Sequence, residues 1–402
     1  MDRNHLVGMP LADLGGRYRD DLFEEYLPFW EAYGIDHERG GFLCSLDHDG
    51  TLVDMEKRVT FQGRGLWIYS FLYNHFEIDR CLEIAGMAYD FLLRHGRDDN
   101  GDWVHTLNRD GTVRRPADGL GFAGIFVAEG LQEYYKAARD PASMDLALES
   151  IARFLEIYDD PSRNVPQWYL PCNFPGMRTL GYEEMAIRVL TQVLEQVDDP
   201  RLDARVRQSV DAVIHRFWNP DYRLNNEILT HEYQRIEGDG SDFVYLGHSI
   251  VTSWIILLEA MRIRDRTLFD LVAERLRRDI EVAWDDEFGG LARGMNFHGT
   301  AITDRCLWTQ DEALVGTMLL IEHTTLDWPR PWFERIYRYV AEKFSLKQHG
   351  YPLWILTSDR DVTFEPHVAR KGNYHHPRQL MLNLLALERM IKRGGAVSDF
   401  WG

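Results

Sequence analysis

The chain has 402 residues, of which 45% are hydrophobic and 27% charged, as in ordinary globular proteins, and it is long enough to bury a large core. Its formal charge of −19 makes nucleic acid and anionic membrane surfaces poor partners, since both repel an acidic surface. No stretch approaches the roughly 18 apolar residues of a spanning helix, so no membrane segment is expected.

In chain order, periodicity predicts helices at 11–33, 60–77, 79–96, 120–138, 142–158 and 179–197. Further helices follow at 201–217, 247–264, 267–284, 307–324, 330–345 and 374–393. They come in pairs. One member is amphipathic: Leu268, Leu271, Val272, Leu276 and Ile280 follow i, i+3, i+4 spacing with Arg and Glu between them. The other member is apolar nearly all round, as in SWIILLEA from Ser253 or LMLNLLALERMI from Leu380. A helix apolar on every side is buried on every side.

Between the pairs, Gly-flanked segments of strand type recur around turn residues. They are GGFLCSLDHDGTLV from Gly40, GDWVHTLNRDGTVR from Gly101 and LNNEILTHEYQRI from Leu224, then GGLARGMNFHGTAI from Gly289 and GYPLWILTSDRDVTF from Gly350. These read as β-hairpins at a spacing of about 60 residues or twice that, with an irregular stretch at NVPQWYLPCNFPG. Six buried helices alternating with six amphipathic ones predict an all-α protein, an (α/α)6 barrel or toroid with the hairpins at one rim, forming a single catalytic domain over 1–402. The competing arrangement is an open solenoid of helix pairs.

Four cysteines, Cys44, Cys81, Cys172 and Cys306, form no CxxC pair and are expected to be free thiols. With the opening MDRNHLVGMPLADLGG lacking a signal peptide's apolar core, a cytoplasmic location is expected.

Polar and aromatic groups gather where four buried helices begin. RVTFQGRGLW carries Arg58, Gln62, Arg64 and Trp67; YLGHSIVTSW carries His248 and Trp254. CLWTQDEAL carries Trp308, Gln310, Asp311 and Glu312; GNYHHPRQL carries Tyr374, His375, His376 and Arg378. In a closed barrel these clusters converge at one mouth. Taken singly, each has a plainer role: a capping histidine, core tryptophans, or an Arg64–Glu312 ion pair. There is no HExxH, no phosphate-binding glycine loop and no GxSxG, so no metal and no cofactor are expected.

At these clusters the sequence resembles the N-acylglucosamine 2-epimerase family, which includes cellobiose 2-epimerases and aldose–ketose isomerases. FWEAYGIDHERGGF from Phe29 and Trp30, FQGRGLWIYSFLYN, GHSIVTSWIILLEA, WDDEFGGL with LWTQDEAL, and YHHPRQL all resemble its blocks. The resemblance implies an (α/α)6 barrel, a sugar substrate and metal-independent proton transfer at C2 of an aldose. Carried over position by position, it implies His248, His375, Arg64 and Glu312 as catalytic groups, with Arg378 as companion of His375. A homodimer is an expectation from the family alone.

The sequence departs from the family at MRTLGYEEM, where an RSxAxPM or NxHMH segment is frequent: Arg178 is kept, but Glu183 and Glu184 stand in unusual places. CLWT likewise replaces KLWW. Trp67, Trp254, Trp308, Arg178, Arg378 and Glu184 complete the set expected to bind substrate.

The chemistry suits two histidines. A hexose acquires an acidic C2 hydrogen only after ring opening; a base then forms an enediolate and an acid reprotonates the other face. An imidazole with an ordinary pKa near 6.5 serves either way. Arg64 would stabilise the enediolate oxygen. The alternatives are a mannose-type aldose–ketose isomerase, a glycoside hydrolase using Glu184 or Glu227 as a carboxylate, and a non-catalytic binding protein.

Overall fold

A computed structural model describes residues 3–163, 167, 169–298, 301–369 and 372–401. Part of the expected irregular stretch NVPQWYLPCNFPG, and the tip of the hairpin from Gly289, lie outside the described residues.

Among the described residues the chain forms twelve helices. They are α1 (11–34), α2 (Val59–Phe76), α3 (Asp79–His95), α4 (Phe122–Ala138), α5 (Pro141–Asp159) and α6 (Leu180–Leu194). Then come α7 (200–217), α8 (Leu246–Arg262), α9 (Arg266–Ala283), α10 (Leu307–His323), α11 (329–344) and α12 (His375–Lys392). The even-numbered helices pack in sequence, α2 on α4, α4 on α6, and so on to α10 on α12, and α12 returns to α2. Each odd-numbered helix lies outside its partner, with α1 against α12. The ring closes as an (α/α)6 barrel rather than an open solenoid. No helix of the described residues is long and apolar enough to cross a membrane.

Local chemistry separates the two rings. The outer helices α5, α7 and α9 are started by Asp140, Asp199 and Asp265, each of whose carboxylates accepts a first-turn N–H. Pro141 and Pro200 follow at a position where no N–H is needed. On α9, Phe269, Val272, Ala273, Leu276 and Ile280 form the buried stripe. Leu271, expected in that stripe, is exposed instead, because the stripe is centred one position away.

The inner helices mostly start from short strands, and these strands stitch the rim. Arg178–Thr179 before α6 pairs with Ile228–Leu229. Phe243–Val244 before α8 pairs with Met295–Asn296, and Arg305–Cys306 before α10 with Thr357–Ser358. Each entry strand thus pairs with the hairpin of the following repeat, so the hairpins join neighbours as well as folding on themselves.

Two repeats share one device. After the Gly-Gly turns, Gln62 of α2 donates to Phe42 O (2.9 Å) and accepts from Phe42 N (2.7 Å). Gln310 of α10 treats Leu291 the same way, at 2.9 Å for both bonds. A side-chain amide has both a donor and an acceptor, so it can satisfy one residue's backbone completely. A Cβ at Gly41 would lie 2.4 Å from the Gln62 Oε1, which is why the turn needs glycine there. Gln62 and Gln310 are therefore rim fasteners, not mouth groups.

Candidate active site

The inner-helix N-termini surround a cavity of about 1370 Å³, above the roughly 300–1000 Å³ usual for small-molecule sites. His248 stands in the first turn of α8 and His375 opens α12; both line it. Trp308, from the first turn of α10, lines the same wall. Its ring centroid is 6.1 Å from that of His248 and 5.5 Å from that of His375. The two imidazoles are thus separated by no more than the sum of those distances, close enough to share one sugar. Gly247 makes room for this indole: a Cβ there would stand 2.3 Å from Trp308.

Each histidine is held from behind by a buried carboxylate. His248 Nδ1 is 2.9 Å from Glu227 Oε1, and His375 Nδ1 is 2.7 Å from Glu312 Oε1. An ionised carboxylate only accepts, so Nδ1 carries the hydrogen and Nε2 is left as the exchangeable atom. Glu227 comes from the rim hairpin. Its carbonyl accepts from Leu180 N (3.0 Å), its N–H donates to Phe243 O (3.2 Å), and its Oε1 also accepts from Gly181 N and Tyr169 Oη, both at 3.4 Å. Sequence reasoning met Glu227 only as a hydrolase carboxylate; the buried Asn225-Asn226-Glu227 run inside an apolar hairpin was the signal that it has an internal partner.

Glu312 serves three donors: His375, Arg378 Nη2 (2.6 Å) and Trp254 Nε1 (2.8 Å). Burial raises its carboxyl pKa, but Arg378 and His375 outweigh that and hold it below the usual carboxylate range. Burial pushes the His375 imidazole well below the ordinary histidine range, against the bond to Glu312. Arg378 also donates to Tyr374 Oη (2.8 Å), which donates in turn to Glu129 (2.6 Å). His376 pairs with Asp311 through Nδ1 at 2.9 Å, so the adjacent histidines use different carboxylates.

The expected substrate-binding set divides. Trp308 and Glu184 line the cavity, as does Arg64 of the expected catalytic set, its guanidinium 4.0 Å from the Phe126 centroid. The plainer alternative of an Arg64–Glu312 ion pair is not what forms: Glu312 pairs with Arg378. Trp67, Trp254, Arg178 and Arg378 are not among the residues that line the cavity. Trp67 donates to Gln192 (2.8 Å) and stacks on Phe71; Trp254 braces Glu312. Arg178 is spent on Tyr158 O (2.9 Å) and Asp159 (2.8 Å), tying the end of α5 to the start of α6. These are buried side chains whose polar tips found partners in the wall.

Arg188 was not anticipated. It projects from α6 into the cavity lining, 3.1 Å from Glu129 and 3.2 Å from Glu184. It lies one turn after Glu184, and that i, i+4 spacing was visible in the sequence. Among the described residues no cluster of three or more His, Cys, Asp or Glu is placed to hold a metal ion.

Residues 40–378 match the model of the family described as N-acylglucosamine 2-epimerase (GlcNAc 2-epimerase). The N-acylglucosamine 2-epimerase of Mus musculus is 24% identical over 394 residues, covering 92% of this chain and 91% of that protein. The cellobiose 2-epimerase of Dictyoglomus turgidum is 24% identical over 343 residues, covering 79% of this chain and 84% of its own. The solved structure of cellobiose 2-epimerase from Bacillus thermoamylovorans B4167 superposes with a TM-score of 0.80 at 20% identity, over 94% of this chain and 100% of that one.

Proposed function

The chain belongs to the N-acylglucosamine 2-epimerase family, isomerases by their names, and from that premise we propose that it interconverts the C2 epimers of an aldose or N-acylhexosamine. The observation that carries this reading is a pair of carboxylate-held imidazoles facing one cavity from separate helices. One Nε2 removes the C2 hydrogen of the open-chain sugar, and the other protonates the opposite face. Glu227 and Glu312 keep the tautomers that make this possible and balance the imidazolium formed in turn.

Arg64, on the cavity wall, stabilises the enediolate oxygen, since a fixed cation counts most where charge develops in a water-poor site. Trp308 gives the sugar a flat face between the two histidines. A hydrolase would need two carboxylates free to flank a bond. Glu227 and Glu312 are instead engaged behind histidines, which favours proton transfer at carbon. Among the described residues the four cysteines form no disulfide, which supports a reducing, cytoplasmic setting.

The test is a panel of D-mannose, N-acetylmannosamine and cellobiose in heavy water, followed by NMR at C1 and C2. Wild type takes up deuterium at C2 of at least one sugar and yields its epimer; His248→Ala and His375→Ala stay folded and lose the uptake. Retained uptake in either variant, or a ketose as the sole product, refutes the proposal.

A further inference from the structure

Two histidines facing C2 leave one requirement unmet. Before C2 is acidic the ring must open, with a proton delivered to the ring oxygen as the C1 hydroxyl gives one up. Glu184 stands where that acid is needed. Gly181, Glu184 and Arg188 follow i, i+3, i+7 on α6 and all line the cavity. Gly181 packs so closely on His248 that a Cβ would come within 2.7 Å of the imidazole Cε1, which puts this helix face beside the catalytic group. Glu184 is 5% exposed, and its buried Oε1 has no hydrogen-bond partner. Arg188 Nη1 is 3.2 Å from that oxygen but outside hydrogen-bonding geometry, and Arg188 Nη2 is likewise buried without a partner. Both residues line the cavity, and buried polar atoms without a partner on such residues call for an explanation that a ligand can supply. Burial also raises the pKa of Glu184, against the lowering by Arg188, His248 and Arg378, so this carboxyl keeps its proton more readily than an exposed one.

We propose that Glu184 is the acid–base group that opens and recloses the sugar ring, a role that rests on the epimerase reading above. The protonated carboxyl gives its hydrogen to the ring oxygen as the bond from that oxygen to C1 breaks, and His248 takes the C1 hydroxyl proton. His375 removes the C2 hydrogen, its electron pair passing into the enediolate. His248 then protonates C2 from the opposite face. On reclosure the former ring hydroxyl attacks C1 and returns its proton to Glu184, while the C1 oxygen takes a proton from His375. Every group ends in its starting state, and the new C2 hydrogen is the exchangeable one that began on the C1 hydroxyl. The reverse direction exchanges the roles of the histidines.

Glyceraldehyde is too short to close a ring, so it separates ring opening from C2 chemistry. The experiment measures two rates in wild type, Glu184→Gln, Glu184→Asp and His375→Ala. One is anomer exchange by NMR on whichever of the three panel sugars the wild type labels; the other is C2 deuterium uptake on that sugar and on glyceraldehyde. In Glu184→Gln, anomer exchange and C2 uptake on the ring sugar fall by about 100-fold, the usual scale for general acid catalysis, while uptake on glyceraldehyde stays within about threefold. Glu184→Asp keeps a carboxyl but draws it back, and lowers the ratio of ring-sugar to glyceraldehyde uptake by about fivefold or more. His375→Ala loses C2 uptake on both and still exchanges anomers. Wild-type anomer exchange in Glu184→Gln, a parallel loss on glyceraldehyde, or an unchanged ratio in Glu184→Asp overturns the role of Glu184. Persistent C2 uptake in His375→Ala overturns the epimerase reading instead.

Discussion

Replacing Glu227 with Gln tests the dyad that sequence alone did not assemble. Glu227 is fully buried, and its Oε1 accepts from His248 Nδ1 at 2.9 Å and from Gly181 N and Tyr169 Oη at 3.4 Å. Because three donors point at that oxygen, a Gln side chain keeps its carbonyl there rather than its NH2 group. The tautomer of His248 then survives, and only the negative charge is lost. A hydrogen bond to a charged group is worth about 1.5–3 kcal/mol against about 0.5–1.5 for a neutral one, so the imidazolium loses about 1–2 kcal/mol of support. At about 1.4 kcal/mol per factor of ten, kcat/KM falls by about 5–30-fold. Glu227→Ala leaves the Nδ1 hydrogen without its buried acceptor, adding about 1–3 kcal/mol and a further loss of about 5–150-fold. The assay is C2 deuterium uptake under kcat/KM conditions, with thermal melting to confirm the fold. A Glu227→Gln enzyme within twofold of wild type would refute the view that this carboxylate supports His248.

Other expectations follow from the same contacts. Gly181→Ala places a Cβ 2.7 Å from His248 Cε1 and 2.9 Å from Nδ1, so deuterium uptake drops by at least about tenfold, while the helix gains propensity and melting changes little; unaltered uptake would show that the imidazole can yield. Arg178→Ala costs stability through the lost bonds to Tyr158 O and Asp159 and lowers Tm, but leaves the KM of the folded enzyme unchanged, because Arg178 does not line the cavity; a raised KM with an unchanged Tm would reverse that assignment. Burial pushes the Asp279 carboxyl up to about 8, against Arg275 and a 3.4 Å contact from Ser253. Between the ordinary carboxylate range and that value the folded state binds more protons than the unfolded one, so this group's contribution to stability is lost as pH rises. Asp279→Asn therefore flattens the decline in Tm between pH 5 and 9, and a melting series in which the two proteins decline in parallel excludes Asp279 as the cause.

Much of the architecture was legible because it rests on local rules. Helix periodicity, Asp-Pro starts and glycine-bounded hairpins are set by neighbours a few residues apart, and the alternation of all-apolar with amphipathic helices announces two rings. The same reading placed His248, His375, Arg64 and Trp308 at inner-helix starts, and the structure brings all four to one cavity. It failed where direction had to be known. The inner helices α2 and α8 are apolar nearly all round and carry no polar face to mark the axis, so Trp67 and Trp254 looked equivalent to Trp308 although their indoles turn into the wall.

Pairings across the ring were beyond sequence for a related reason. Glu227 and His248 are 21 positions apart, and Glu312 and His375 are 63 apart. Which carboxylate meets which imidazole depends on how entry strands pair with the next repeat and on where the ring closes. Composition and spacing determined twelve helices, their two kinds and the residues at the mouth. Only the closed tertiary structure decided which atoms turn inward, because long-range packing, not helical pitch, chooses the partner of each buried polar group.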